Sequence, residues 1–311
     1  MRDRKPIGER SVEESPQKSL IASSQQEAPT RDDMLSGRLI YQGQARTYHV
    51  YLPSNYDRNR SWPLVLAFHG GFGSGKRIAR NTGFNEIAER EGFIVVYPDG
   101  IDKHWNDGRG TVNTDVDDVG FVRALIDRLV RNRNVDPSRV YATGISNGGQ
   151  FTQRLACELS DKIAAFAAVA STFPAALRSN CNPKNPVSML MINSPEDPLV
   201  PWQGGEGGGI GGRILSVPET VELWRKHNKC SPVAQTQSLP TIAPNDGTRV
   251  RMSRYQGDSP RSEIVLYTIE GGGHTWPDGH DNAVISRVGK TSRQLKGSQA
   301  IWNFFKRHSL S

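Results

Sequence analysis

A chain of 311 residues, 36% hydrophobic, 8% aromatic and 23% charged, has an ordinary globular composition and the length to bury a sizeable core. No run approaches eighteen consecutive apolar residues, which excludes a membrane-spanning helix. The formal charge of +7, from 39 Lys+Arg against 32 Asp+Glu, is scattered rather than gathered into the basic stripe that nucleic-acid binding needs.

Residues 1 to 35 are rich in Ser, Glu, Gln, Arg and Pro and almost free of apolar residues. They are expected to form a disordered tail, with no apolar segment that reads as a secretory signal. One domain is expected from 36 to 311. "RLIYQG" and "RTYHVYLP" predict two strands around a tight turn at Gly43. "PLVLAFHG" (63–70) and "FIVVYPDG" (93–100) are short, almost wholly apolar runs, as suits strands covered on both faces. "GFNEIAEREG" between them predicts a short helix. In "VDDVGFVRALIDRLVRN", Val122, Leu125, Ile126, Leu129 and Val130 fall at helical spacing, with acids at the start and arginines at the end. "SRVYATG", "FAAVAS", "VSMLMIN" and "EIVLYTIE" predict further strands, and "GGQFTQRLACEL", "VPETVELWRKH" and "SQAIWNFFKRH" further helices. Alternating strands and helices predict an α/β domain with a mostly parallel sheet. The glycine-rich "QGGEGGGIGGR" (203–213) is expected to be a mobile surface loop.

Of the three cysteines, Cys157 falls on a helical pattern and reads as a small core residue. Cys181 and Cys230, in loop-like surroundings, are the expected pair if one disulfide forms.

"LVLAFHGGFGSGKR" (64–77) can be read in two ways. Gly70 to Lys76 spells G-x-x-x-x-G-K, most of a phosphate-binding loop. That loop requires Ser or Thr after its lysine, yet Lys76 is followed by Arg77, and no strong helix pattern follows. The same letters place His69-Gly70-Gly71 at the end of a strand, where backbone amides can face an oxyanion. "ATGISNGGQ" favours this second reading. Gly144-Ile145-Ser146-Asn147-Gly148 fits G-x-S-x-G between a strand and a helix, where a nucleophilic serine sits on a strained turn whose neighbours must be small.

Such a serine needs a base, and the base an orienting acid, in the chain order Ser, acid, His. His227 and His308 end helical patterns. His274, in "YTIEGGGHTWPDG", follows a strand in a glycine-rich loop and is preferred to His280. Asp197, in the Pro-rich "SPEDPLVPW", is preferred to its neighbour Glu196. The expected oxyanion donors are the amides of Gly71 and Asn147, with Gly70 and Phe72 as alternatives to Gly71. Trp202 and Trp276, in motif loops at strand ends, are expected to line the cleft and stack on substrate. Arg109 and Asp118 read as buried ion-pair partners in preference to substrate contacts. No metal or organic cofactor is expected.

Together "HGG", "TGFNEIAEREGFIVVYPDG", "WNDGR", "DVDDVGFVRALIDRL", "GISNGG", "EDPLVPW" and "GGGHTWP" resemble the polyhydroxybutyrate depolymerase/feruloyl esterase-like α/β-hydrolases, close to carbohydrate esterase family 1, over residues 37 to 308. The resemblance implies an α/β-hydrolase fold and a cofactor-free serine esterase using Ser146, Asp197 and His274. Its substrates would be feruloyl, acetyl or hydroxybutyrate esters of a polymer or polysaccharide. It also implies export, while the sequence as given leaves the cytoplasm open. This chain departs from the family's His-Gly-Thr at Asn193-Ser194-Pro195 and from its Met at Gln150. The rival functions are a peptidase or thioesterase of the same fold and a catalytically silent polysaccharide-binding relative. Oligomeric state is not legible.

Overall fold

The computed structural model describes residues 34–259, 262–280 and 285–310. All but the last two residues of the expected tail therefore lie outside the described chain. The fold begins with a hairpin, β1 (Leu35–Tyr41) and β2 (Gln44–Tyr51). Its two-residue turn holds both Gln42 and Gly43 at positive φ, the backbone that matches the twist of the flanking strands.

The apolar runs become the centre of a ten-stranded sheet. β3 (Trp62–Phe68), β4 (Ile94–Pro98), β5 (Val135–Ile145), β6 (Ala165–Val169), β7 (Ser188–Asn193) and β12 (Glu263–Glu270) are mutually parallel. In β3, Leu64, Leu66 and Phe68 enter one core, and Val65 and Ala67 the other. That period of two is why the run has no polar face. Helices α3 (Asp118–Arg133), α4 (Asn147–Glu158) and α5 (Val217–His227) cover the first face; α2 (Phe84–Glu91) and α6 (Gly297–Phe305) cover the second. α3 starts on an Asp117 side chain that accepts from the Gly120 amide, and α5 on a Ser216/Glu219 capping box.

Three parts of the fold lack a strong pattern in the sequence. Helix α1 (Gly75–Thr82), capped by Ser74, begins inside the 70–76 stretch, where the sequence shows no strong helix pattern. Its two turns bury little beyond Ile78 and Ala79, too few positions to show a period. The phosphate-loop reading still fails, because the Gly75 amide donates to the Asp99 carboxylate (2.8 Å) and the Phe72 amide to the Lys103 carbonyl (3.0 Å). A carboxylate already holds the place that a phosphate would take. At the sheet's far edge β11 (Arg249–Gln256) adds antiparallel to β12 and β10 (Gln235–Ser238) antiparallel to β11; β10 is exposed, β11 half-buried, and both are largely polar, so no apolar run marks them. The segment expected to be a mobile loop contains a small hairpin, β8 (Gly205–Glu206) with β9 (Arg213–Ile214).

The cysteine expectation is corrected. Cys157 is bonded to Cys181, 24 residues on, and Cys230 is the free, buried thiol. Cys157 lies in the last turn of α4, where the loop after β6 crosses the helix end. Cys230 instead bonds the Ser262 carbonyl, and burial pushes its thiol pKa up.

Candidate functional site

Ser146, Asp197, His274 and the Gly70-Gly71 loop stand at or just beyond the C-terminal ends of parallel strands, the edge where open α/β sheets place their ligand crevices. Ser146 follows β5 at once and opens α4. It holds φ 56° and ψ −124°, strained for a side chain and a pointer to function. The crowding is measurable. A Cβ on Gly144 would lie 2.4 Å from the Gly148 carbonyl, and one on Gly148 2.3 Å from the Phe68 carbonyl. Both glycines let strand, turn and helix close on one another beneath the serine.

His274 follows β12. Its Nδ1 lies 2.9 Å from Asp197 Oδ2 and 3.1 Å from Oδ1. Asp197, in the loop after β7, also accepts the Leu199 and Val200 amides through Oδ1, each at 2.8 Å. Two amides thus fix the carboxylate, and the carboxylate fixes the imidazole with Nδ1 occupied. Ser194 ties the same loop to the His274 loop by donating to the Gly272 carbonyl, while Glu196 accepts the Gly271 amide. The departures at 193 to 195 therefore contribute a hydrogen bond between the two loops. Gln150 is buried and lines the cleft.

Ser146 and His274 line one cavity of about 270 Å³. Gly70 and Gly71 line it too, and a Cβ on Gly70 would meet Ser146 Cβ at 3.3 Å. The Phe72 amide is spent on Lys103 and the Gly73 amide on the Gly70 carbonyl (3.0 Å), so Phe72 is removed as an alternative donor. Gly70, Gly71 and Asn147 remain. The Asn147 amide is in the first turn of α4, where amides have no intrahelical acceptor. Its side chain is clamped, accepting from the Trp105 amide (2.8 Å) and donating to the Trp105 carbonyl (2.9 Å) and Asp107 Oδ2 (2.6 Å).

His69 braces the same loop from behind. Its Nε2 accepts the Gly100 amide (3.0 Å), which leaves the proton on Nδ1 to donate to the Gly70 carbonyl (2.8 Å). Burial holds this imidazole below the usual histidine range. Since its folded pKa is depressed, the stability it contributes is present above about pH 6.5 and is lost as pH falls. Thermal unfolding between pH 8 and 5 is expected to show that loss, with a shallower slope in His69→Gln. Parallel slopes in the two proteins would contradict it.

Arg109 and Asp118 each belong to a buried ion pair, the preferred expectation, and Arg109 also lines the cleft. Asp118 pairs with Arg46, and Arg109 with Asp107, all four buried. Trp276 does not line the cleft. It is 1% exposed, packs against Phe84 and donates to Ser298 Oγ (2.9 Å). Trp202 lines a separate depression with Pro218, Val221 and Tyr255. Both tryptophans were expected at the cleft because their loops are; their side chains turn elsewhere to bury apolar area. The apolar wall instead comes from Phe72, Ile78, Ile145, Leu199, Val200, Ile210 and Val288. Ile210 belongs to the glycine-rich segment, held by Arg109 Nη1 donating to the Gly211 carbonyl (2.8 Å). Among the described residues, no group of three or more His, Cys, Asp or Glu is placed to hold a metal ion, and no helix is long and apolar enough to cross a membrane.

Known proteins give the site a context. Residues 46–178 match the family model described as "Esterase PHB depolymerase". The chain is 31% identical over 290 residues to a Nocardia uniformis subsp. tsuyamanensis protein named "Putative esterase NocK", covering 89% of this chain and 84% of that one. It is 30% identical over 241 residues to feruloyl esterase B of Piromyces equi, covering 74% of this chain but only 42% of the relative. Among solved structures, acetyl xylan esterase from Aspergillus awamori superposes with a TM-score of 0.57 at 14% identity, covering 88% of this chain and 99% of that one. That likeness establishes the α/β-hydrolase fold.

Proposed function

The chain belongs to the PHB depolymerase esterase family and is a carboxylic ester hydrolase, and from that premise we propose that it cleaves esters carried by a polymer or polysaccharide through a Ser146 acyl-enzyme. The observation that carries the proposal is the Asp197–His274 pair, whose imidazole lines one apolar cleft with the strained Ser146. Ser146 Oγ attacks the ester carbonyl while His274 Nε2 takes its proton. Asp197 holds the imidazole in the tautomer with Nδ1 protonated and stabilises the imidazolium. The Gly71 and Asn147 amides receive the oxyanion. The imidazolium then passes the proton to the leaving alcohol. Water, deprotonated by the same imidazole, clears the acyl group and restores the serine. No metal or organic cofactor takes part.

The feruloyl esterase and acetyl xylan esterase names of the relatives support a plant-polysaccharide ester, and the family model supports a hydroxybutyrate ester. Action outside the cytoplasm belongs to the same proposal, and the Cys157–Cys181 disulfide fits an oxidising compartment. Product release from feruloylated arabinoxylan, acetylated xylan and hydroxybutyrate oligomers is the test. Ferulate, acetate or hydroxybutyrate is expected from at least one of them. Cleavage of a simple aryl ester with silence on all three would remove the polymer from the proposal.

A further inference from the structure

The oxyanion-side loop carries a residue whose placement costs the fold twice. Phe72 has φ 61°, a left-handed backbone that a bulky side chain adopts only at a cost. The residue is 67% exposed and enters neither core. Among the described residues it is the one aromatic among the exposed large hydrophobics, and it lines the cleft with Ser146 and His274.

The surroundings hold that ring in place. The Phe72 amide is bonded to the Lys103 carbonyl. The ring stands edge-on to His104, centroids 4.5 Å apart at 81°. His104 is in turn fixed by Nδ1, 2.7 Å from the Asp102 carbonyl. Asp102 and Lys103 themselves have φ 47° and 63°, so two consecutive residues that support one exposed ring sit, like Phe72 itself, in left-handed backbone. Gly71 completes the arrangement: a Cβ there would come within 3.3 Å of the His104 ring. Strain concentrated around a solvent-facing apolar surface has its return in binding rather than folding.

We infer that Phe72 is a specificity platform at the mouth of the cleft, on which a flat ring of the ester substrate packs. The inference rests on the proposed esterase site and adds to it the residue that reads the ring. Two sources share that chemistry, an aromatic ring in the acyl part and a sugar ring in the alcohol part. Both present a flat face of C–H or π surface that a phenyl ring can cover.

The test compares wild type, Phe72→Tyr and Phe72→Asn on ethyl acetate, methyl ferulate and acetylated xylo-oligosaccharides. Asparagine tolerates the left-handed backbone and removes the ring. In Phe72→Asn the ratio of kcat/KM on a ring-bearing ester to that on ethyl acetate is expected to fall by about five- to tenfold, carried by KM. A fall confined to methyl ferulate assigns the acyl ring, and one confined to the oligosaccharide assigns the sugar. Phe72→Tyr keeps both ratios. The Tm of Phe72→Asn is expected to hold or rise, because strain and exposed apolar area are relieved. Unchanged ratios on both ring-bearing esters overturn the inference, and so does a Tm several degrees lower, which would make the ring a fold support. Wild type inert on every ester would instead defeat the esterase site itself.

Discussion

Ser146→Ala is expected to lower kcat on every carboxylic ester by roughly 10⁴- to 10⁶-fold, with the fold intact. Alanine keeps the same Cβ at φ 56°, between glycines already packed to backbone contact, so little besides Oγ is lost. The residual rate would come from binding and from the Gly71 and Asn147 amides. Asp197→Asn is expected to lose on the order of 10⁴-fold. The Leu199 and Val200 amides still have an oxygen to meet, but the imidazolium loses its counter-charge and the tautomer its anchor. The combination separates a catalytic unit from three independent residues. Ser146→Ala/His274→Ala should be no slower than Ser146→Ala alone, because a base without its nucleophile has no proton to take. Hydrolysis of an aryl acetate reads the rates, and fluorophosphonate labelling reads Oγ directly. Near-wild-type turnover in Ser146→Ala, or a double variant slower by the product of the single losses, would remove the mechanism.

What the sequence made legible follows from how much each feature depends on its neighbours in the chain. Strands β3, β4, β6 and β7 are wholly buried, so their composition alone identifies them. The strained turn at Ser146 is legible because its glycines are a local steric requirement. Asp197 and His274 could be selected by chain order and loop position, and they lie within hydrogen-bond reach across 77 residues. Features set by what crosses from elsewhere were not legible. Trp276 sits in the expected loop, but its indole turns toward Ser298 and Phe84. Cys157 shows a helical pattern and nothing of the loop that brings Cys181 to it. Strands β10 and β11 carry polar residues because they extend the sheet at its edge. Phe72 stood in the sequence only as an alternative amide donor; its backbone angle and exposure, which give it meaning, have no local signature beyond the glycines around it.

Asp107→Asn is expected to destabilise the protein by about 3–5 kcal/mol, a magnitude reserved for a buried charge left without its partner. Arg109 donates to Asp107 through Nε (3.0 Å), Nη2 (2.7 Å) and its own amide (3.0 Å), with side-chain exposures of 2% and 0%. The same carboxylate accepts from Asn147 Nδ2. An asparagine there has one oxygen for the work of two and removes the countercharge. Since water does not reach the guanidinium, the cost falls on the fold. Removing both charges should cost less than the sum of the separate losses, so Asp107→Asn/Arg109→Met is expected to regain part of the stability that Asp107→Asn loses. Activity should not return with it. The double variant still lacks the carboxylate that clamps Asn147, whose amide is the proposed oxyanion donor, and the guanidinium that holds Gly211 beside Ile210. Urea unfolding and aryl acetate hydrolysis on the three variants measure the two quantities separately. Strictly additive losses would show that the pair is not coupled. Stability and activity recovering together would show that Asp107 serves the fold alone and that Asn147 keeps its place without it.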